Sequence, residues 1–286
     1  MKKYFSLVLF AHSIFALPFA FIGFFLAVTT TAHVFSWMKL VLMILCMLFA
    51  RNAAMAFNRY LDREFDAENP RTVARDIPAG RITAKEALLF TLINCVFFFI
   101  STWFINTLCF LLSPVALAVV LGYSYTKRFT PLCHFILGLG LSLAPLGAYL
   151  VVTGEFAMLP LFFSLAVLFW VSGFDIIYAL QDEEYDKNKN LKSIPAWLGA
   201  GRALRVSAFL HILSACSIII PIFFTPLSWF YFAGAGFYIA MLVYQHSLVK
   251  PNDLSKVGLA FGTTNGIASV VFALFFLLDV YLRSQL

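Results

Sequence analysis

The stretch Leu40-Val-Leu-Met-Ile-Leu-Cys-Met-Leu-Phe-Ala-Arg51-Asn-Ala-Ala-Met-Ala-Phe-Asn58-Arg-Tyr-Leu-Asp62-Arg-Glu-Phe-Asp66 decides the fold class. Its apolar part belongs to a run over residues 35–57, long enough for a helix to cross a bilayer at about 20 residues. The run then ends in carboxylates. At about 100° per residue, Asn58, Asp62 and Asp66 share roughly an 80° arc of one helical face. A second apolar run, 157–181, ends the same way in Asp175-Ile-Ile-Tyr178-Ala-Leu-Gln-Asp182-Glu-Glu-Tyr-Asp186. There Asp175, Asp182 and Asp186 fall within roughly 40°. Both sets are expected at C-terminal helix ends, where the helix dipole disfavours negative charge. Carboxylates beside hydrocarbon are expensive unless something positive meets them. Stability does not explain such a placement, whereas a divalent cation bound to diphosphate does.

The rest of the chain agrees with a membrane reading. Hydrophobic residues make up 62% of its 286 positions and charged residues only 12%, against about 25% charged in soluble domains. Nine apolar spans are expected, at about 8–30, 35–57, 86–106, 109–125, 132–153, 157–181, 203–223, 228–246 and 258–282. The predicted class is all-α, a polytopic bundle of nine transmembrane helices forming a single domain over 1–286. The N-terminal run lacks a small-residue cleavage site and is long enough to span, so it reads as a retained first helix rather than a signal peptide.

Charge placement predicts the orientation. Of the 20 Lys and Arg residues, all but Lys39, Arg51 and Arg283 lie at the N-terminus or after an even-numbered span. The positive-inside rule therefore puts the N-terminus and both acidic patterns in the cytoplasm, with the C-terminus outside. Two loops are long and charged, 58–85 and 182–202, and each has room for a short helix, so a small cap over a cytoplasmic mouth is expected. Repetition of the acidic pattern after spans 2 and 6 points to a weak internal duplication of about four helices. The net charge of +6 reports topology and contact with anionic lipid, not nucleic acid. The five cysteines show no paired spacing and read as small buried hydrophobes. The histidines show no ligand spacing and read as structural.

Magnesium binds through one or two carboxylates plus phosphate oxygens. Two facing acidic clusters with basic residues nearby suit a di-magnesium diphosphate clamp, with Arg71, Arg75, Lys127 and Arg128 available to phosphate oxygens. In a membrane, the fitting diphosphate is one whose tail is itself hydrocarbon. Arg51, two turns deeper than Asn58 on the same face, is a costly residue inside a span and normally faces a partner or a cavity. Its two readings are a grip on the carboxylate of an acceptor and a salt bridge to an acid such as Asp175. Glu64, Glu68, Glu183 and Glu184 lie off the shared faces and read as solvated.

The run Arg51…Asn58-Arg-x-x-Asp62-x-x-x-Asp66-x-x-Asn-Pro-Arg71-Thr-x-x-Arg75-x-x-Pro78-x-Gly80 resembles the first motif of UbiA-type membrane prenyltransferases. The run Gly-Phe-Asp175-x-x-Tyr178-x-x-x-Asp182-x-x-x-Asp186 resembles their second. Tyr123-Ser-Tyr-Thr-Lys127-Arg128, Ala144-Pro145-x-Gly147-Ala and Ser193-Ile-Pro195 are similar to further segments of that family, and the likeness is strongest to its 4-hydroxybenzoate polyprenyltransferase branch. The resemblance implies a horseshoe of nine helices around a cavity, with magnesium-diphosphate at the cytoplasmic mouth. It implies Asp62, Asp66, Asp182 and Asp186 as metal ligands, and Asn58, Arg71, Lys127, Arg75 and Arg128 as diphosphate-binding residues. Asp175, Arg51 and Tyr178 become the candidate catalytic residues near the acceptor. Arg59 departs from the family, many of whose members carry Asp there.

The implied partners are a polyprenyl diphosphate, an aromatic acid and membrane lipid, with Mg2+ as cofactor and no nucleic acid. 4-Hydroxybenzoate is the first-choice acceptor, and a naphthoate-type acid of a menaquinone route is the alternative. The expected setting is quinone biosynthesis at a bacterial inner membrane, with the site on the cytoplasmic face. A multi-span transporter is the alternative from another class, although transport sites lie near the membrane midplane. A phosphatidyltransferase would need an Asp-x-x-Asp-Gly-x-x-Ala-Arg run, which is absent.

Overall fold

The structure, a computed structural model, describes residues 15–284. Lys2, Lys3, His12 and the first part of the expected span 8–30 lie outside the described residues. Within them the chain is helical, with no strand and one isolated bridge between Lys250 and Asp253. The elements are α1 (Leu17–Thr30), α2 (Trp37–Leu61), α3 (Arg63–Glu68), α4 (Ala84–Trp103), α5 (Thr107–Thr126) and α6 (Cys133–Thr153). They continue as α7 (Met158–Ala179), α8 (Glu183–Asn188), α9 (Ile194–Leu198), α10 (Ala200–Ile219), α11 (Trp229–Leu248) and α12 (Asn265–Ser284). Seven helical segments among the described residues are long and apolar enough to cross a membrane: α2, α4, α5, α6, α7, α10 and α12, with their short extensions. The other two expected spans are helical too, as α1 with 14 described residues and as α11, whose apolar run is diluted by Tyr, Gly, Gln245 and His246.

The helices bury one face and leave the other covered with hydrocarbon side chains. Leu89, Leu92 and Val96 on α4, Phe209 and Ile212 on α10, and Leu274 and Leu278 on α12 are all exposed. Apolar faces of this extent would aggregate in water and are the expected outer surface in lipid. The main core lies among α1, α7, α11 and α12, where Phe19, Trp170, Tyr238 and Phe272 are wholly buried. The indole N–H of Trp170 donates to Asn265 Oδ1 at 2.8 Å, so the aromatic core leaves no orphan donor there.

Both acidic helices break where the carboxylates begin. Helix α2 stops at Leu61, and Asp62 (φ −90°, ψ 6°) caps its end and starts α3. Helix α7 gives way to a 3-10 turn, Leu180–Asp182, before α8 begins. This corrects the expectation that each acidic set sits at the C-terminal end of an unbroken helix. Asp66 lies in the first turn of α3 and Asp186 in the first turn of α8. Near a helix start the free backbone N–H groups favour negative charge, so the breaks move these two carboxylates from an unfavourable end to a favourable one.

Close approach of helices sets the remaining geometry. A Cβ on Gly23 of α1 would lie 2.0 Å from the Pro145 carbonyl oxygen of α6. Small residues permit this in membrane bundles, and backbone cannot move aside as a flexible side chain does. Gly23→Ala should therefore cost about 1–3 kcal/mol through overpacking, read as a lower melting temperature in detergent. Gly236→Ala on α11, where the added methyl meets nothing within 4 Å, should melt within about 1 kcal/mol of the parent.

Candidate active site at the mouth of the cavity

One cavity of about 680 Å³ runs between α2, α5, α6 and α7. Its inner walls are apolar, including Met43, Met47, Phe98, Leu112, Val119 and Leu141. Its mouth is polar, and its lining holds the candidate residues Asn58, Asp62, Asp66, Arg71, Arg75, Lys127, Arg128, Asp175, Tyr178, Asp182 and Asp186. Arg51 lines the same cavity. The two long loops, 120 residues apart in sequence, close over this mouth. Tyr185 Oη donates to the Phe65 carbonyl at 2.7 Å, Asn69 Nδ2 donates to Asp182 Oδ1 at 3.1 Å, and Lys189 pairs with Glu68.

At the mouth, each acid meets one base. Arg128 reaches Asp62 at 3.0 Å and Arg75 reaches Asp66 at 2.6 Å. Arg71 grips Asp182 with Nε and Nη2, at 2.9 and 2.5 Å. Lys127 reaches the fully buried Asp186 at 2.7 Å. The pairs cross between elements: Asp62 and Arg128 join α2 to the end of α5, and Arg71 and Asp182 join the first loop to the second. Secondary contacts fix Asp62 and Asp186 further. Asn58 Nδ2 donates to Asp62 Oδ2 at 2.8 Å, and Ser193 Oγ donates to Asp186 Oδ2 at 2.8 Å.

Burial and charge compete at each of these groups. Burial pushes the Asp62 carboxyl upward, and the Arg128 guanidinium only partly offsets it, so Asp62 stays above the usual carboxylate range. Burial works against the charge of Arg71, but Asp182 and Tyr178 outweigh it and hold the guanidinium above its ordinary value. Lys127 is likewise held up by Asp186 against the effect of burial.

Tyr178 serves Arg71 from two directions. Its hydroxyl accepts from Nη1 at 2.7 Å, and its ring lies 5.1 Å beneath the guanidinium carbon. The ring is backed by Phe261 at 4.2 Å between centroids, on the π-helical turn Leu259–Thr264 that precedes α12. Asp175 lies two turns deeper than Asp182 on α7 and takes His134 as its partner, with Nδ1 2.7 Å from Oδ2.

Several residues of this site escaped sequence reasoning. Asn69, Tyr123, His134, Tyr185 and Ser193 line the mouth or hold residues that do. His134 gave no signal, because its partner Asp175 is 41 positions away. Asn69, Tyr123, Tyr185 and Ser193 stood inside the quoted segments, but without a charge to mark them. Arg59, at the position where many family members carry Asp, is buried in the cavity wall. It lies within electrostatic reach of Asp66, Tyr123 and Tyr178.

A sequence model of the UbiA prenyltransferase family matches residues 16–278. The chain belongs to that family. It is an integral membrane prenyltransferase by this membership and its apolar helices, which removes the transporter alternative. A protein of Nitrosomonas europaea named 4-hydroxybenzoate octaprenyltransferase is 33% identical over 260 residues, covering 87% of this chain and 84% of its own. One of the same name from Tolumonas auensis is 30% identical, with 78% of each chain covered. The apo structure of a UbiA homologue from Aeropyrum pernix K1 superposes with a TM-score of 0.81 at 27% identity, over 96% of this chain and 98% of that one. A UbiA homologue from Archaeoglobus fulgidus, bound to DMAPP and Mg2+, shares the fold at a TM-score of 0.76 and 22% identity, over 98% and 99% of the two chains.

The Lys127–Asp186 pair gives this geometry a stability test. Lys127→Met leaves a fully buried carboxylate with only the Ser193 hydroxyl, which should cost on the order of 3 kcal/mol. Removing both charges in Lys127→Met/Asp186→Leu should restore most of that loss, as read by thermal unfolding in detergent.

Proposed function

We propose that this chain transfers a polyprenyl group from polyprenyl diphosphate to an aromatic acid, with 4-hydroxybenzoate as acceptor and magnesium as cofactor, releasing diphosphate. The observation that carries this reading is the mouth itself. Four carboxylates and four matching cations close one end of a cavity whose inner walls are mostly apolar. Isoprenoid tail and aromatic ring belong in the apolar part, and diphosphate belongs at the charged end. Relatives named 4-hydroxybenzoate octaprenyltransferase support the choice of donor and acceptor.

The residues present fit magnesium. Asp66 Oδ2 is buried without a hydrogen-bond partner in the cavity wall, an oxygen left over for a ligand. Among the described residues, no three Asp, Glu, His or Cys side chains converge on one point. Phosphate oxygens must therefore complete any coordination, which is magnesium's ordinary habit. Asp62, Asp66, Asp182 and Asp186, with Asn58, are proposed to hold the ion. When bound, magnesium supplies positive charge that neutralises the leaving diphosphate.

The chain's own groups do the rest. Arg71, Arg75, Lys127 and Arg128 turn from the carboxylates to the diphosphate oxygens. Tyr178 keeps Arg71 in place through its hydroxyl and ring. The carbon–oxygen bond to diphosphate breaks, and the allylic carbon forms a bond to the acceptor ring. The displaced ring hydrogen leaves as a proton, for which Asp175 is the proposed acceptor. Arg51, inside α2, is proposed to hold the acceptor's carboxylate by a two-pronged grip that suits a planar guanidinium. The wider reading is of nine spans arranged as a horseshoe in one domain over 1–286, with the mouth on the cytoplasmic face of a bacterial inner membrane.

The direct experiment incubates the purified protein with magnesium, a radiolabelled polyprenyl diphosphate and a panel of aromatic acids. Prenylated 4-hydroxybenzoate is the expected product, and label appearing on none of the acids rejects the proposal. Asp62→Asn and Asp182→Asn should remain folded and lose about 10²–10³ in turnover, since electrostatic stabilisation of the developing charge usually contributes most to such catalysis. Near-normal rates with magnesium present would remove the two-cluster assignment.

Arg51→Lys keeps the charge but loses the fork, so the acceptor KM should rise roughly tenfold or more with little change in the prenyl diphosphate KM. The reverse pattern would move Arg51 to the diphosphate site.

A further inference from the structure

Asp175 owes its place in the cavity wall to a histidine whose protonation is fixed by backbone. His134 is 2% exposed at the start of α6. Its Nε2 accepts the backbone N–H of Ile194 at 3.3 Å. Ile194 is the first residue of α9, so its amide has no acceptor within that helix. Ile194 is itself buried, and an amide left unpaired there is costly. The nitrogen that faces it must therefore be the one without a hydrogen. A neutral imidazole then carries its only proton on Nδ1, and Nδ1 is the atom 2.7 Å from Asp175 Oδ2. His134 donates and Asp175 accepts. The Asp175 side chain is still about one-fifth exposed, and it lines the cavity.

The segment that fixes His134 also holds the diphosphate end. Ser193 Oγ donates to Asp186 Oδ2 at 2.8 Å, and the Lys192 backbone N–H donates to the Lys127 carbonyl at 2.6 Å. Three consecutive residues thus touch the Lys127–Asp186 pair on one side and His134 on the other. The same histidine also lies against the helix that carries Asp175, where the Ser172 hydroxyl is shared between the Leu168 carbonyl at 2.7 Å and the His134 carbonyl at 3.2 Å.

We propose that His134 is a positioning residue for the acceptor step. It holds one oxygen of Asp175, presents the other to the aromatic acceptor, and through residues 192–194 ties that carboxylate to the diphosphate-binding pair. This rests on the proposed acceptor role of Asp175. A histidine that merely filled space would satisfy neither the fixed tautomer nor the two-sided attachment.

Two substitutions separate the halves of the argument. In His134→Asn the shorter amide nitrogen falls near the position of Nδ1 and keeps the bond to Asp175. In His134→Gln the longer amide reaches toward Nε2 and keeps an acceptor for Ile194, but leaves Asp175 without its donor. Loss of one hydrogen bond to a charged group corresponds to roughly 10–100-fold in rate. His134→Gln should therefore lower kcat by that factor with an unchanged prenyl diphosphate KM, while His134→Asn keeps kcat within a few-fold of the parent. Equal losses in both variants, or a change confined to the prenyl diphosphate KM, would overturn the proposal.

If neither variant folds, the parent protein decides through 15N spectra of its histidine rings. An Nδ1-protonated neutral ring that is altered by Asp175→Asn is expected, and the Nε2-protonated form at that position would overturn the assignment. Absence of any aromatic prenylation by the parent would instead reject the underlying reaction and leave the spectral result standing.

Discussion

Everything at the mouth of this cavity depends on the mutual neutralisation of acids and bases. Asp62, Asp66, Asp182 and Asp186 each meet one cation: Arg128, Arg75, Arg71 and Lys127. A carboxylate at the edge of hydrocarbon is tolerated only with such a partner, and a buried pair that loses one member is strongly destabilised. The folded protein therefore already contains two half-sites of opposite charge that satisfy one another. A ligand that brought only cations, or only anions, would satisfy one half and strand the other. A magnesium-diphosphate brings both. The pairing that stabilises the protein without ligand thus favours a ligand that carries both charges at once.

The helix breaks at Asp62 and Asp182 serve the same balance. A continuous α2 would have pointed its last carbonyl groups toward its own carboxylates. Stopping the helix and starting α3 and α8 supplies fresh N-terminal amides near Asp66 and Asp186. The breaks also let each acidic segment turn over the cavity, where Tyr185 and Asn69 can bridge the two loops. Local backbone geometry, charge placement and loop closure are therefore one solution to one electrostatic problem.

The fold was legible because its signals are repetitive and strong. The expected apolar runs 132–153 and 157–181 became the helices Cys133–Thr153 and Met158–Ala179, and the charged loops became the short helices α3, α8 and α9. The acid–base clustering was legible as well, since Asp62, Asp182, Arg71 and Lys127 are rare charges in an apolar chain. Which base meets which acid was not. Arg71 and Asp182 are 111 positions apart, and no periodicity links them. The helix breaks were hidden because neither Asp62 nor Asp182 is a helix breaker by type, so only the tertiary demand for paired charge shows why the backbone turns there. His134 was hidden for a different reason. A lone histidine in an apolar segment looks like packing, and its role depends on an amide donated by a loop 60 positions away.

Depth along the cavity sorts these groups by the charge each can meet. The four acid–base pairs stand at the mouth. Two turns further along α7, Asp175 is held by His134 instead of by an arginine or a lysine. Arg51 lines the same cavity from within α2, and beyond these groups the walls are mostly apolar. A molecule with a strongly charged head, a reacting carbon behind it and a long apolar tail would meet these environments in that order. On the proposed function, the acceptor needs a position where a proton can be taken without competition from the diphosphate clamp. Placing Asp175 against His134, away from Arg71 and Lys127, provides a base whose charge is not already spoken for by the cations that hold the leaving group.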